Sequence, residues 1–420
     1  MRILITNTAV LNTGDAAILF ATMKILEQSF DKPLEFIVYD QQAETAKRYY
    51  PELNFRPVIY DQLTQELRSG RRKLDAARLM VAAILRRSPL RAFAQWLAPA
   101  NMRQSLEEFA GADLIVSAGG TYLVPHYRIL PKLLDLLIAR AVRRPIVLFT
   151  QSLGPFPGPR RSLLHFVLRS ARAILVRDAR SYRHLLDFGI RPDRIAEFAD
   201  AAFALAEPEV VKQTVNKCTA AADETKLRLA ISVRDWPHIG GDGAEGMARY
   251  LGAVADTVRW LVEDRDVDVT FLSTCQGIEE YWTDDSRVAE SVVALLPIHI
   301  RERVWIDREF HDPGALIALL STFDMIVATR MHVAIMALGA GVPVLPIAYE
   351  FKTVELFKRL GLGHLVQDIE TVTGEGLIGA ARSLLDRRRD VSAKLVACIE
   401  RERCSAFSAG RYIREAVGLA

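Results

Sequence analysis

The segment Thr329-Arg330-Met331-His332 sets a guanidinium and an imidazole two positions apart, directly after the apolar run Met325 to Ala328. That run reads as a buried strand, Thr329 as a turn, and the following residues as a helix that Gly341 ends before Pro343 opens the next strand. Arg330 and His332 then fall in the first turn of a helix at the carboxyl edge of a sheet. A cation there opposes the helix dipole, and an anion paired with both side chains would relieve the conflict. The chemistry predicted is recognition of a phosphate or carboxylate, with a structural ion pair as the ordinary alternative.

Asn12-Thr13-Gly14-Asp15 lies between the first apolar run and a helix expected from about Ala16. A glycine permits close approach and a carboxylate there can take a proton from a hydroxyl, while the same short polar side chains also suit helix capping. Ser117-Ala118-Gly119-Gly120-Thr121-Tyr122, with His126 and Tyr127 beyond it, offers backbone amides to an anion or a sugar ring, or else forms a tight turn needing positive φ. Gln151-Ser152-Leu153-Gly154-Pro155 reads the same way. Arg177-Asp178 and Arg234-Asp235 each end a strand, and their guanidinium groups are read either as ligands at equivalent points of two domains or as local salt bridges. Two further patterns are set aside. Gly241-Asp242-Gly243-Ala244-Glu245-Gly246 matches GxGxxG but lies beyond its strand and after Pro237; Asp266-Val267-Asp268 precedes a strand instead of following one. No metal is expected.

Positioning such groups takes strands that end together. Short apolar runs alternate with helix-period segments, the pattern of parallel α/β sheets. Strands are expected at Ile3 to Thr6, Glu35 to Tyr39, Leu114 to Ser117, Ile146 to Thr150 and Ile174 to Val176. The rhythm restarts at Leu227 to Val233 and continues at Val269 to Ser273, Arg303 to Ile306, Met325 to Ala328 and Val344 to Ile347. Glu207 to Thr225 reads as a polar connection. A first domain over 1–205, a second over 226–395 and a helix over 396–420 that crosses back to the first are therefore expected. Residues 63–97 interrupt the first domain as a basic amphipathic insertion carrying Arg68, Arg71, Arg72, Lys73, Arg78, Arg86, Arg87 and Arg91 around an apolar centre. Its arginines are read either as a solvated helix face or as contacts to anionic lipid head groups.

A chain of 420 residues exceeds what one core usually serves. Its net charge of +3 gives no overall field for nucleic acid, and the four cysteines lack metal-ligand or disulfide spacing. Neither a signal-peptide pattern nor an apolar stretch long enough to span a bilayer is found, so a cytoplasmic location is expected, with any membrane contact peripheral and on the inner face of the plasma membrane.

Taken in order, the Asn12-to-Asp15 turn, Ser117 to Gly120, Gly154-Pro155, Val176 to Ser181, Asp200 to Phe203, Ile231 to Arg234, Thr329 to His332, and Pro343 onward to Tyr349 and Lys352 resemble the polysaccharide pyruvyltransferase family. The resemblance spans about Met1 to Gly361. It implies an α/β fold of two Rossmann-like domains facing a cleft in a GT-B-like arrangement. The implied reaction moves the enolpyruvyl carbons of phosphoenolpyruvate onto a sugar of a bacterial surface polysaccharide or its lipid-linked precursor, without a further cofactor. The implied donor site is an Arg-x-His element, here Arg330 and His332 around Met331, with Arg177, Arg234 and Lys352 as further candidates. Asn12, Gly14, Asp15, Gly119, Gly120, Tyr122 and His126 are assigned to the acceptor. His332 and Arg330 serve the leaving phosphate, and Asp15 acts as base from the opposite domain. Two rival readings are a nucleotide-sugar glycosyltransferase or epimerase of the same architecture, and a non-catalytic glycan-binding scaffold.

Overall fold

The computed structural model describes residues 1–65, 72–125, 127–220, 226–240 and 243–418. They form two compact units, one of Met1–Leu11, Ile18–Ala201 and Ser405–Ala420, the other of Asn12–Ala17 and Ala202–Cys404.

In the first unit eight strands are described: β1 (Arg2–Thr8), β2 (Glu35–Asp40), β3 (Phe55–Pro57), β4 (Leu114–Ser117), β5 (Gly120–Leu123), β6 (Ile146–Leu153), β7 (Ala173–Val176) and β8 (Ile195–Glu197). Their order is β3-β2-β1-β4-β6-β7-β8, with β5 also on β6, and every pairing is parallel. The central strands are buried on both faces, which is why Ile3-Leu4-Ile5 and Ile146 to Phe149 are continuous apolar runs and do not alternate. Of the two readings for Gly119 and Gly120, the positive φ is found at Gly120, φ 130°, where the chain opens β5 directly after β4. A Cβ on Gly119 would lie 2.8 Å from Ile18 Cγ2, so this glycine serves close packing. Helix Arg388–Val417 ends in this unit, where Ala199 N donates to Ser405 Oγ at 3.0 Å and Tyr412 stacks at 5.6 Å on Phe198.

The second unit holds six described strands: β9 (Arg228–Ser232), β10 (Asp268–Phe271), β11 (Val304–Ile306), β12 (Met325–Ala328), β13 (Val344–Ala348) and β14 (Gln367–Asp368). They run parallel in the order β11-β10-β9-β12-β13-β14. Glu207 to Thr225 is not a plain connection. Within it Pro208–Ala220 is a helix, started by Pro at its first position and burying Val211, Val215 and Cys218 on one stripe. Helix Met331–Gly339 ends in the manner expected of Gly341. This residue takes φ 86°, donates to Leu338 O at 2.8 Å, and lets Val342 N reach Ala337 O at 3.0 Å.

Candidate functional site

In the second sheet β9 is central, and the chain leaving its carboxyl end meets the chain leaving β10, β12 and β13. Arg234 follows β9; Cys275 and Asp285 follow β10; Thr329 and Arg330 follow β12; Tyr349, Glu350 and Lys352 follow β13. Crevices at such strand ends are where open α/β sheets bind ligands.

Arg330 is not in the first helical turn, as expected, but just before it, at the N-cap with extended backbone (φ −79°, ψ 118°), while Met331 and His332 begin the helix. The anion that the sequence required for it is internal. Arg330 Nε donates to Asp285 Oδ2 at 2.7 Å and Nη2 to Oδ1 at 2.6 Å, a bidentate pair with 11% and 3% side-chain exposure. Ser273 Oγ adds a further bond to Asp285 Oδ2. Burial works against the charge on Arg330, but Asp285, helped by Cys275 and Tyr349, holds it protonated well above the usual guanidinium range. The neighbouring Cys275 thiol is pushed up to about 11 by burial, an inert state for a thiol.

Arg234 differs. It is only 9% exposed, lies 4.0 Å from the Tyr349 ring centre and 4.8 Å from that of Trp236, and its Nε donates to the carbonyl of Asp235 at 3.2 Å. Among the described residues it forms no ion pair. Lys352 is paired with Glu350 at 2.7 Å and lies 5.0 Å from the same tyrosine ring. Burial opposes ionisation of the Tyr349 phenol, yet Lys352, Arg234 and Arg330 outweigh it and draw its pKa below the ordinary value. Three cations thus converge on this edge against the two carboxylates that pair with them, Asp285 and Glu350.

The Asn12-to-Asp15 turn groups with this second unit, not with an opposing domain. Thr13 N donates to Thr274 O at 2.9 Å and Thr13 Oγ1 to His311 O at 2.7 Å. Asn12 supplies the cap of helix Thr13–Ser29, its Oδ1 accepting from Gly14 N at 2.9 Å, and its Nδ2 donates to Asp15 Oδ2 at 3.1 Å. Capping and carboxylate positioning are therefore one arrangement. A Cβ on Gly14 would fall 2.7 Å from His332 Cβ and 2.9 Å from Nδ1, so only glycine lets this turn lie against the imidazole.

The other expected site residues lie in the first unit. Arg177 is spent on structure: it pairs with buried Asp200, donates from Nε to Ser152 Oγ at 2.9 Å and from Nη2 to Thr121 Oγ1 at 2.7 Å. It is not at the point equivalent to Arg234, because it follows β7 towards the sheet margin whereas β9 is central and corresponds to β1. The Tyr122 hydroxyl is held by Ser117 Oγ at 2.7 Å and Gln151, which also fixes Ala118 O at 2.9 Å. His126 lies outside the described residues. Asp266 and Asp268 are engaged by Arg303, and Asp268 also by Lys226, as surface ion pairs. Four participants were given no role from sequence: Asp285, Glu350, Trp236 and Tyr349, the last quoted only within the segment from Pro343 to Lys352. A signal for the first existed, since Asp284 alone caps helix Asp285–Ala294 and leaves the adjacent aspartate surplus to that task.

Fold and site together define an α/β protein of the two-Rossmann-domain, GT-B-like class, with a cluster of cationic side chains at the carboxyl edge of its second sheet. Similar solved structures include the UDP-GlcNAc 2-epimerase of Neisseria meningitidis bound to UDP-GlcNAc (TM-score 0.59, 12% identity, all of both chains covered) and an S. aureus MnaA-UDP co-structure (0.60, 15%, all of this chain and 97% of the other). Anabaena Alr3699/HepE in complex with UDP is also similar (0.58, 11%, all of both chains). Identities this low speak to fold alone. Residues 12–350 match the polysaccharide pyruvyl transferase family, and the chain belongs to it. It is also 25% identical over 401 residues to the amylovoran biosynthesis protein AmsJ of Erwinia amylovora, covering 93% of this chain and 94% of that protein.

Proposed function

We propose that the protein transfers the pyruvyl carbons of phosphoenolpyruvate to a sugar of a bacterial exopolysaccharide or its lipid-linked precursor, with the donor held in the second unit. The observation that carries this reading is Arg234, a buried guanidinium resting against the rings of Tyr349 and Trp236, whose centres lie 4.7 Å apart, and left without a carboxylate among the described residues. A planar fork so held suits bidentate pairing with a carboxylate or phosphate, and phosphoenolpyruvate bears both on one carbon. Arg330 and Lys352, already paired, add to the positive field around Arg234, and the amino end of helix Met331–Gly339 adds its dipole.

The chemistry needs a proton on the donor methylene carbon, attack of a sugar oxygen on the adjacent carbon, and departure of phosphate. A second hydroxyl then closes the ketal; of the two hydroxyl protons, one ends on the new methyl group and the other on phosphate. Asp15, held by Asn12, is the base for the hydroxyl; His332, against Gly14, or Tyr349 serves as acid. No residue of this set coordinates a metal in the reading.

Calorimetric titration with phosphoenolpyruvate tests it. Arg234→Ala removes charge-assisted bonds worth about 1.5 to 3 kcal/mol and should weaken donor binding by about one to two powers of ten. Unchanged donor affinity in Arg234→Ala, or wild-type binding of UDP-GlcNAc in place of phosphoenolpyruvate, would overturn the reading.

A further inference from the structure

The insertion forms two described helices, Arg72–Leu85 and Arg91–Leu97, tied by Arg78 Nε donating to Leu97 O at 3.2 Å. The first is apolar on both sides. Leu79, Ala82 and Ala83 face the core, and Leu74, Ala77, Val81 and Ile84, spaced three and four apart on one outward stripe, face water. The second helix continues the outward apolar surface with Phe93 at 61% exposure and Trp96 at 75%, after an exposed Leu90. Scattered apolar residues on a surface are normal; a stripe without one polar member, extended by two aromatics, marks a contact.

The charges around it select the partner. Between residues 76 and 106 the chain carries five arginines and no carboxylate. The flanking acids are consumed, Asp75 by Arg78 at 3.2 Å and Glu107 by Arg86. Arg78 and Arg86 are thereby removed from the set of lipid ligands expected from sequence, and Arg68 and Arg71 lie outside the described residues. Lys73, Arg87 and Arg91 are exposed and form no ion pair among the described residues. Burial first, and then the nearby Arg87, lower the Arg144 pKa, with Asp113 offsetting part of the effect.

We propose that the outward face of this helix pair docks on an anionic phospholipid bilayer, with Phe93, Trp96 and Ile84 entering the interface and Lys73, Arg87 and Arg91 meeting lipid phosphates. Aromatic side chains with flanking cations are what the head-group region accommodates. A second copy of the chain fits less well, because a two-fold contact would bring the same unpaired cations face to face. Duplex nucleic acid keeps its base faces stacked inside, and single strands receive isolated aromatics more readily than an aliphatic stripe of Leu74, Ala77, Val81 and Ile84. No helix among the described residues is long and apolar enough to cross a membrane, so the contact is at the surface. The inference is independent of the reaction proposed above.

Flotation of the full chain with vesicles of phosphatidylethanolamine and phosphatidylglycerol at 3:1, beside phosphatidylcholine vesicles, tests it. The wild type should bind the anionic vesicles at least about tenfold more tightly, and 0.5 M salt should reduce binding. F93S/W96S and K73S/R87S/R91S should each lower binding about tenfold or more while phosphoenolpyruvate affinity and circular dichroism stay as in wild type. A W96F difference spectrum should show the Trp96 emission moving to the blue on adding anionic vesicles. The inference falls if the wild type ignores both vesicle types, or if F93S/W96S binds like wild type. It also falls if the wild type is a dimer that F93S/W96S converts to monomer, since a second copy would then cover the face.

Discussion

Asp285→Asn keeps the shape of the side chain and takes one full charge out of a pair whose members are 3% and 11% exposed. Two charge-assisted bonds of 2.7 and 2.6 Å lose their anionic acceptor, and the guanidinium of Arg330 stays in place without compensation. Breaking one half of a buried pair costs about 3–5 kcal/mol, and the residual exposure of Arg330 points to the lower end, about 3 kcal/mol. Removing both charges together is milder, because an apolar pair of similar volume avoids the desolvation cost; D285N/R330M should recover most of the loss. Chains of two units need not unfold in one step, so the measurement is urea-dependent hydrogen exchange of amides in helix Met331–Gly339, which reports the second unit locally. Phosphoenolpyruvate should stabilise D285N more than wild type, since a bound anion then answers a cation that has lost its partner. A loss under about 1 kcal/mol in D285N, or a double variant no more stable than the single one, would refute the reasoning.

Two further expectations concern the turn and the first unit. Gly14→Ala puts a methyl 2.7 Å from His332 Cβ, so the turn or the imidazole must move; we expect a cost of about 1–3 kcal/mol in thermal unfolding and at least about tenfold slower phosphate release with acceptor present. Unchanged turnover would separate the turn from the imidazole. Asp135 is wholly buried, bonded by Thr6 and by Ile59 N at 3.1 Å, and burial raises its pKa to about 6, against about 3.9 when unfolded. The native state therefore holds this proton more tightly, and the stabilisation is complete below about pH 4 and is lost as pH rises through about 6, to the extent of about 3 kcal/mol. Asp135→Asn lacks the titration, so the stability of wild type relative to this variant should fall by about 2 kcal/mol between pH 4 and 7 in urea melts; a flat difference would contradict it.

Much of this architecture is written in apolar runs. Leu114–Ser117 and Met325–Ala328 emerge with the bounds their sequences suggest, because a central parallel strand must be apolar on both faces. Phe55–Pro57, Gly120–Leu123, Ile195–Glu197 and Gln367–Asp368 went unread. They are two to four residues long; three lie at sheet margins and Gly120–Leu123 continues β4 along β6, so each takes its form from a neighbouring strand. The helix over Pro208–Ala220 was legible in principle from Val211, Val215 and Cys218, but its polar outward face hid the stripe. At the site, strand, turn and helix around Arg330 follow from local spacing. Its pairing with Asp285, 45 positions earlier, does not, because nothing local tells an arginine which carboxylate the tertiary fold will deliver. The same ignorance made Arg177 and Arg234 look alike until Asp200 claimed one of them.

The last helix has a consequence for how the chain is made. The first unit includes Ser405–Ala420, where Gly410 packs on Ser29 and Ile25, Ile413 is buried, and Arg414 reaches Asp31 at 3.1 Å. A ribosome that has already delivered every strand of the first sheet has still not supplied this cover, and must synthesise some two hundred residues of the second unit before it arrives. The first sheet thus waits for residues made long after its own strands, with the apolar side of helix Thr13–Ser29 open to chaperones meanwhile. A stop after residue 404 would spare every described strand of both sheets and still injure the first.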